Sequence, residues 1–470
     1  MAGKFETPRG SGQPPRRRQR RRHRRISPLL LIAAAAGILV IVLTLTMCGK
    51  KSDKKTGSTE PEVPETTETT VPEFSVTARA TVASQGDLLM HATIFAKKWD
   101  GGCYMDDGTY NFDSLFRYIS PYVSAADYAA ANLETTLGGP DFPYQGNPSF
   151  NCPDALLDSL ADAGYDMLLT ANNHCYDTLM AGLNRTVQQV RGKGLTAIGT
   201  RLSEQEPRYA VVDVNGIKLG MTSYTYTMVM DGSKPRLNNN SPVENPALVN
   251  YFSTDNLSGF YSEISSVYAD MKAQGADATI VYIHWGTEYE ITENDTQRAM
   301  AQKLCDMGVD VIIGGHPHVV QPMDLLTSTT DPEHKTICIY SLGNAVSNQR
   351  IEEMKLKTGH TEDGLVFSVT FEKYSDGTAA VTGVDVLPTW VNKFVNARWK
   401  YEYNILPLDQ SQKEQWKTLY SLTDEQFTNA QNSYTRTMDI LGPGLTKCQS
   451  WLEQASLQRE QNAGSTPAAA

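Results

Sequence analysis

The run Val309-Asp-Val-Ile-Ile313, followed at once by Gly-Gly-His316-Pro-His318-Val-Val-Gln321, constrains this chain more than any other stretch. A short apolar run of this kind reads as a buried strand, and the Gly-flanked turn after it carries two imidazoles, suited to a metal or a phosphoryl-like oxyanion. The pattern recurs. Gly86-Asp87-Leu-Leu-Met-His91, Asn132-Leu133-Glu134, Ala171-Asn172-Asn173-His174 and Ile283-His284-Trp285-Gly286-Thr-Glu288-Tyr289 each close an apolar segment, and together these turns hold five of the eight histidines.

Strands are predicted at 76–84, 125–132, 167–170, 196–198, 209–214, 217–224, 278–284, 309–313 and 335–340, with an antiparallel pair at 365–372 and 379–386 turning at Asp376-Gly377. Helices fit 113–123, 153–163, 179–193, 257–274 and 295–307. Alternation of αβ units with later strand pairs predicts an α/β sandwich with mixed sheets. The polar, helix-forming residues after 411 are expected to break at Gly442-Pro443-Gly444.

The termini differ from the body. The first 25 residues carry ten Lys/Arg against one acid, Glu6; the remaining 32 Lys/Arg and 52 Asp/Glu give the rest a formal charge of −20. Ile26 to Met47 holds no charged residue over 22 positions, long enough to cross a hydrocarbon core of roughly 30 Å as a helix. The Arg cluster before it predicts a single-pass anchor with the body extracytoplasmic. The expected organisation is a basic tail (1–25), a transmembrane helix (26–47), a disordered Thr/Glu/Pro/Lys-rich tether (48–75), the main domain (76–395), a mostly helical extension (396–462) and a disordered tail (463–470). Export raises the question of disulfides among seven cysteines: Cys103 and Cys152, in loop-like segments, could pair, whereas Cys305 and Cys338 read as small buried residues. His334 and His360 read as exposed loop histidines.

In open α/β folds the functional crevice lies at the carboxyl ends of the strands, so the five turns are expected to share one site. Asp87, Glu134, Asn173, His284, His316 and His318, with His91 beside them, supply the carboxylate, amide and imidazole atoms that one or two Mn, Fe or Zn ions require. Singly, each has an ordinary structural reading: Asp87 and Glu134 as caps, His91 as a loop histidine, Asn172-Asn173 as a turn. Their coincidence at successive strand ends carries the argument.

In their order, the segments GDLLMH (86–91), ANLET (131–135), ANNH (171–174), HWGTEY (284–289), GGHPHVVQ (314–321) and YSLGN (340–344) resemble the CapA/PgsA family of capsule-synthesis proteins, associated with bacterial poly-γ-glutamate. The resemblance spans roughly Thr81 to Asn348. It implies a four-layer α/β/β/α sandwich of the calcineurin-like metallophosphoesterase type. It also implies Asp87 and His318 on a first ion, Glu134 bridging, and Asn173, His284 and His316 on a second, with His174 as general acid oriented by Asp177. The pattern departs from metallophosphoesterases at Leu89, where they carry a histidine, at Glu134, where they carry aspartate, and at Cys175, where they carry an acid.

The implied functions are a membrane-anchored component in synthesis, export or attachment of poly-γ-glutamate or a related polymer, working with other synthesis subunits, or a metal-dependent hydrolase of a phosphoester or amide bond in an envelope polymer. A non-catalytic polymer-binding module is the third. The acidic body argues against electrostatic capture of a polyanion, nucleic acid included; divalent cations could bridge it to an anionic polymer.

Overall fold

The computed structural model describes residues 74–238 and 240–464; the predicted tail, transmembrane segment and nearly all of the tether lie outside the described residues. Among the described residues no helix is long and apolar enough to cross a membrane.

Two mixed sheets form the centre. The first contains β1 (Val76–Leu88), β2 (Tyr128–Asn132), β3 (Met167–Leu169) and β4 (Thr196–Ile198), mutually parallel, with β14 (Asn344–Val346) parallel to the end of β1. Antiparallel β15 (Asp363–Tyr374), β16 (Ala379–Val395) and β17 (Tyr401–Pro407) extend it, giving the order β17-β16-β15-β1-β2-β3-β4. The second contains β5 (Tyr209–Val214), β6 (Ile217–Thr227), β10 (Ala278–His284), β11 (Val311–Gly315), β12 (Val320–Thr327) and β13 (Lys335–Leu342) in the order β12-β13-β11-β10-β6-β5, with β9 (Tyr251–Ser253) beside β6. A hairpin of β7 (Val229–Asp231) and β8 (Lys234–Arg236) stands apart.

Side-chain alternation along the strands assigns the layers. Ala80 and Val82 of β1 and Ala278, Ile280 and Tyr282 of β10 share one apolar cluster between the sheets. The opposite face of sheet one, with Ala83, Ala129 and Leu168, packs on α1 (Ala155–Ala163) and α2 (Leu179–Gly192). The opposite face of sheet two, with Val281, Ile283 and Ile312, packs on α3 (Leu257–Ala273) and α4 (Asp295–Asp306). The result is helices, sheet, sheet and helices in turn.

Several elements differ from the sequence-based expectation. Residues 113–123 form two short helices, Asp113–Phe116 and Ser120–Val123, because Pro121 cannot sit in a helix interior and instead enters the first turn of the second. β12 and β17 were not predicted; β17 joins the sheet edge against β16, so the segment after 395 opens with a strand of sheet one. Asp424–Gly464 is one continuous helix, α5, passing through Gly442-Pro443-Gly444 without a break. Pro443 is exposed, so its lost hydrogen bond falls on the solvent side, while Leu441, Cys448 and Leu452 join the core between the sheets. That packing offsets the roughly 3 kcal/mol that proline costs a helix interior. His334 and His360 are half-buried rather than exposed: His334 Nε2 lies 3.1 Å from the Val309 carbonyl, and His360 stands 4.0 Å from Asp363. Cys103 and Cys152, whose pairing the sequence left open, lie buried in one apolar cluster as free thiols; Cys305 and Cys338 are buried as expected.

Two glycines of α5 make a test of this packing. A Cβ on Gly444 would lie 1.8 Å from the Met323 carbonyl oxygen, whereas one on Gly442 meets nothing within 4 Å. Gly442→Ala is expected to stabilise by up to ~1 kcal/mol through helix propensity. Gly444→Ala is expected to destabilise by ~1–3 kcal/mol, because backbone must move. Denaturant unfolding of the two variants reads the opposite signs directly.

Candidate metal centre

The carboxyl ends of β1, β2 and β3 in one sheet and of β10 and β11 in the other converge. Asp87 is the penultimate residue of β1, in register with Asn132 on β2 and Asn344 on β14. Gly86 sets this position: a Cβ there would fall 1.9 Å from the Gly343 carbonyl oxygen, so only glycine lets β1 approach that turn closely enough. Glu134 follows β2, Asn173 follows β3, and His284 ends β10. His316 and His318 follow β11 with φ of 98° and 58°, left-handed values that non-glycine residues seldom adopt and that mark strain held in place by surrounding structure.

Asp87, Glu134, Asn173, His284, His316 and His318 are all buried. Asp87 accepts from Asn132 Nδ2 at 2.7 Å, from the His316 backbone N–H at 3.3 Å, and lies 3.1 Å from His318 Nδ1. His284 Nε2 lies 2.8 Å from Asn173 Oδ1 and 3.5 Å from Glu134 Oε1; His318 Nε2 lies 3.8 Å from that same oxygen. Burial works to raise the Asp87 carboxyl, but the hydrogen bond and charge of His318, with His284 and Asn132, hold it below its ordinary range. Burial, together with the charges of His284, His318 and His174, pushes His316 well down. Burial also opposes protonation of His318, yet Glu134 and Asp87 raise it to about 9.

Two atoms test whether a metal suits the site. Glu134 Oε1 and His316 Nδ1 are buried and have no hydrogen-bond partner. An orphaned carboxylate oxygen facing two imidazoles is costly to bury, and a divalent cation satisfies all three groups. Among the described residues, three sets bring ligand atoms within 4.8 Å of one another: Asp87, Glu134 and His318; Glu134, His284 and His316; and Glu288, His316 and His318. Glu134 belongs to the first two, the position of a bridging carboxylate. The donor set therefore suits a divalent metal ion.

His91 is not brought into any of these sets. Its Nδ1 lies 3.1 Å from the Leu89 carbonyl and 3.2 Å from the Asn348 N–H, and burial holds its imidazole down at about 4. The Phe150 ring stands edge-on to both His91 and His174. His174 Nδ1 is 2.7 Å from Asp177 Oδ2. Asp177 is fully enclosed and also accepts from the Phe150 N–H at 2.6 Å, Asn238 Nδ2 at 2.9 Å and Asn240 Nδ2 at 3.0 Å. Asp177 Oδ2 and Asn238 Nδ2, the latter 3.1 Å away, both engage His174 at Nδ1, so the tautomer with its proton on Nδ1 donates to the carboxylate and leaves Nε2 as the other exchangeable nitrogen.

Sequence reasoning assigned no role in the site to five residues. Asn132 links Asp87 and Glu134 through Nδ2, and Asn172 holds its Oδ1 at 3.1 Å. Glu288 sits inside the HWGTEY segment but is exposed, so only its proximity to His316 and His318 reveals it. Asn238 and Asn240 reach Asp177 from more than 60 residues away, and no local signal marks them.

A two-sheet sandwich with a buried carboxylate–imidazole cluster at its strand ends defines a candidate metalloprotein. The chain belongs to the family described as "Bacterial capsule synthesis protein PGA_cap", whose model matches residues 81–349 and so covers every residue of the cluster. It is 28% identical over 283 residues to the "PGA biosynthesis protein CapA" of Bacillus subtilis (strain 168), across 58% of this chain and 65% of that protein. It is also 28% identical over 262 residues to the "Capsule biosynthesis protein CapA" of Bacillus anthracis, across 54% and 59%. The matched part spans less than two thirds of either relative.

Proposed function

We propose that this chain is a membrane-anchored, extracytoplasmic CapA-like protein acting in the synthesis, export or attachment of poly-γ-glutamate or a related capsule polymer, with its body a metallophosphoesterase-type sandwich. The observation that carries this reading is the family match over 81–349, which contains the whole buried cluster. The relatives' names speak of PGA and capsule biosynthesis. The Arg-rich tail and the uncharged stretch from Ile26 to Met47 support a single-pass anchor, with synthesis subunits of the cytoplasmic membrane as partners. Expression in a Bacillus subtilis strain lacking its own CapA tests the function: polymer production returns with the wild-type chain and fails with Glu134→Ala. Wild-type chain present in the membrane without any polymer would reject the reading. Protease added to intact protoplasts should remove the body; its complete protection would reject the topology.

A second reading, a metal-dependent phosphoesterase or amidase acting on an envelope polymer, is favoured by the His174–Asp177 pair beside the cluster. A bound divalent ion supplies Lewis-acid polarisation of a phosphoryl or carbonyl oxygen. The chain's own part is to hold the ligand shell through Asn132 and to offer a proton from His174 Nε2 to a leaving group. Turnover of generic phosphodiesters and of poly-γ-glutamate by the metal-loaded chain is the test.

A further inference from the structure

Beside the His316 end of the cluster lies a cleft of about 440 Å³ that the readings above leave unused. Tyr226, Met228, Phe252, Trp285 and Met300 supply apolar walls, Thr254, Thr287 and Thr296 supply hydroxyls, and Glu288 and His316 stand where it meets the candidate metal ligands. No Lys or Arg is among its lining residues, and Glu288 adds a negative charge. The Gln297 amide in its wall is occupied, accepting from the Asn294 N–H and donating to Gln321.

Of the lining residues, Met228 is 68% exposed. An exposed methionine beside aromatic walls is suited to an apolar occupant, because its unbranched thioether adapts to the shape it meets.

We propose that this cleft binds the uncharged, apolar portion of a ligand whose anionic end reaches the metal cluster, so the site favours an anionic group flanked by an acyl or aryl moiety over a run of carboxylates. This rests on reading the cluster as a metal centre. It also sharpens that reading: a carboxylate-rich chain entering the cleft would meet Glu288 and apolar walls without a cation to pair with.

The test is calorimetric titration of the full chain in detergent micelles, loaded with Mn²⁺, using methylphosphonate, phenylphosphonate and the dipeptide γ-glutamylglutamate. Phenylphosphonate is expected to bind roughly 10- to 100-fold more tightly than methylphosphonate, the effect of burying a phenyl ring, and more tightly than the dipeptide. Met228→Gln, at a solvent-exposed position, should narrow the phenyl preference several-fold with metal content unchanged. Equal affinities for the two phosphonates, tighter binding of the dipeptide, or a phenyl preference untouched by Met228→Gln would overturn the proposal with the metal centre intact. A chain that takes up no Mn²⁺ would overturn the metal reading, and the proposal with it.

Discussion

Metal-free protein titrated with Mn²⁺ or Zn²⁺ is expected to bind the ion and gain stability, by ~4 kcal/mol where the free ion exceeds its dissociation constant a thousandfold. The gain comes from groups that the apo fold buries at a cost: Glu134 Oε1 and His316 Nδ1 without partners, and two carboxylates side by side at zero exposure. Two substitutions of Glu134 separate this from ordinary packing. Glu134→Ala and His316→Ala should both lose most of the bound metal, as measured by elemental analysis after reloading, and His334→Ala should lose none. Glu134→Gln should also lose metal, yet cost the apo protein less stability than Glu134→Ala does, because the amide keeps the side-chain volume and only the attraction to His318 is lost. Uptake should release protons as well. His318 is raised to about 9 by Glu134 and Asp87, so at pH 7.5 it is protonated in the apo protein and must give up that proton to ligate. Because its folded value lies above the unfolded one near 6.5, its stabilisation of the apo fold is complete below about 6.5 and lost as pH rises through about 9. Calorimetry at pH 7.5 in buffers of different ionisation enthalpy reads the released proton. A chain that neither takes up metal nor changes stability would leave the fold standing and favour a metal-independent binding module.

What was legible beforehand follows from where the information sits. β5 and β10 were predicted with their observed limits, because Tyr209–Val214 and Ala278–His284 are short runs bounded by turn residues or by a chemical residue. The shared crevice was legible too, since parallel strands place their following turns together whatever the loop lengths. β12 was hidden because Pro322 and Asp324 interrupt its pattern, and the strand is held by its register with β13. α5 defied a reading based on propensity: Gly442-Pro443-Gly444 is a turn signal locally, but the contact of Gly444 with Met323 and the anchoring of Leu441 and Cys448 between the sheets exist only in the assembled fold. Asn238 and Asn240 belong with these, since an amide reaching Asp177 from a distant loop leaves no pattern in its own neighbourhood. His91 lies outside the three ligand sets of the described residues. Its place four residues after Asp87 suggested a ligand, yet the chain turns so that its Nδ1 meets the backbone at Leu89 and Asn348.

His174→Ala is expected to leave metal content unchanged while lowering any phosphodiester turnover by roughly 10²- to 10⁴-fold, the range that a general acid contributes. The argument starts at Asp177. Its four short contacts orient it, so the imidazole is held through Nδ1 and Nε2 is the nitrogen left to exchange a proton. Asp177→Asn should therefore also lower turnover, because an amide can present its NH₂ to Nδ1 and favour the other tautomer. A purely structural role for His174 would make the same loss for every substrate. A general acid predicts a graded one: the deficit is large for an alkyl leaving group, whose oxygen needs a proton as the bond breaks, and small for p-nitrophenolate, which departs without one. Comparing kcat for methyl and p-nitrophenyl phosphodiesters in wild type and His174→Ala measures that grading. An equal deficit on both, with metal bound and the fold intact, would remove His174 from the chemistry and leave the Asp177 pair as a brace for the loop that carries Asn173.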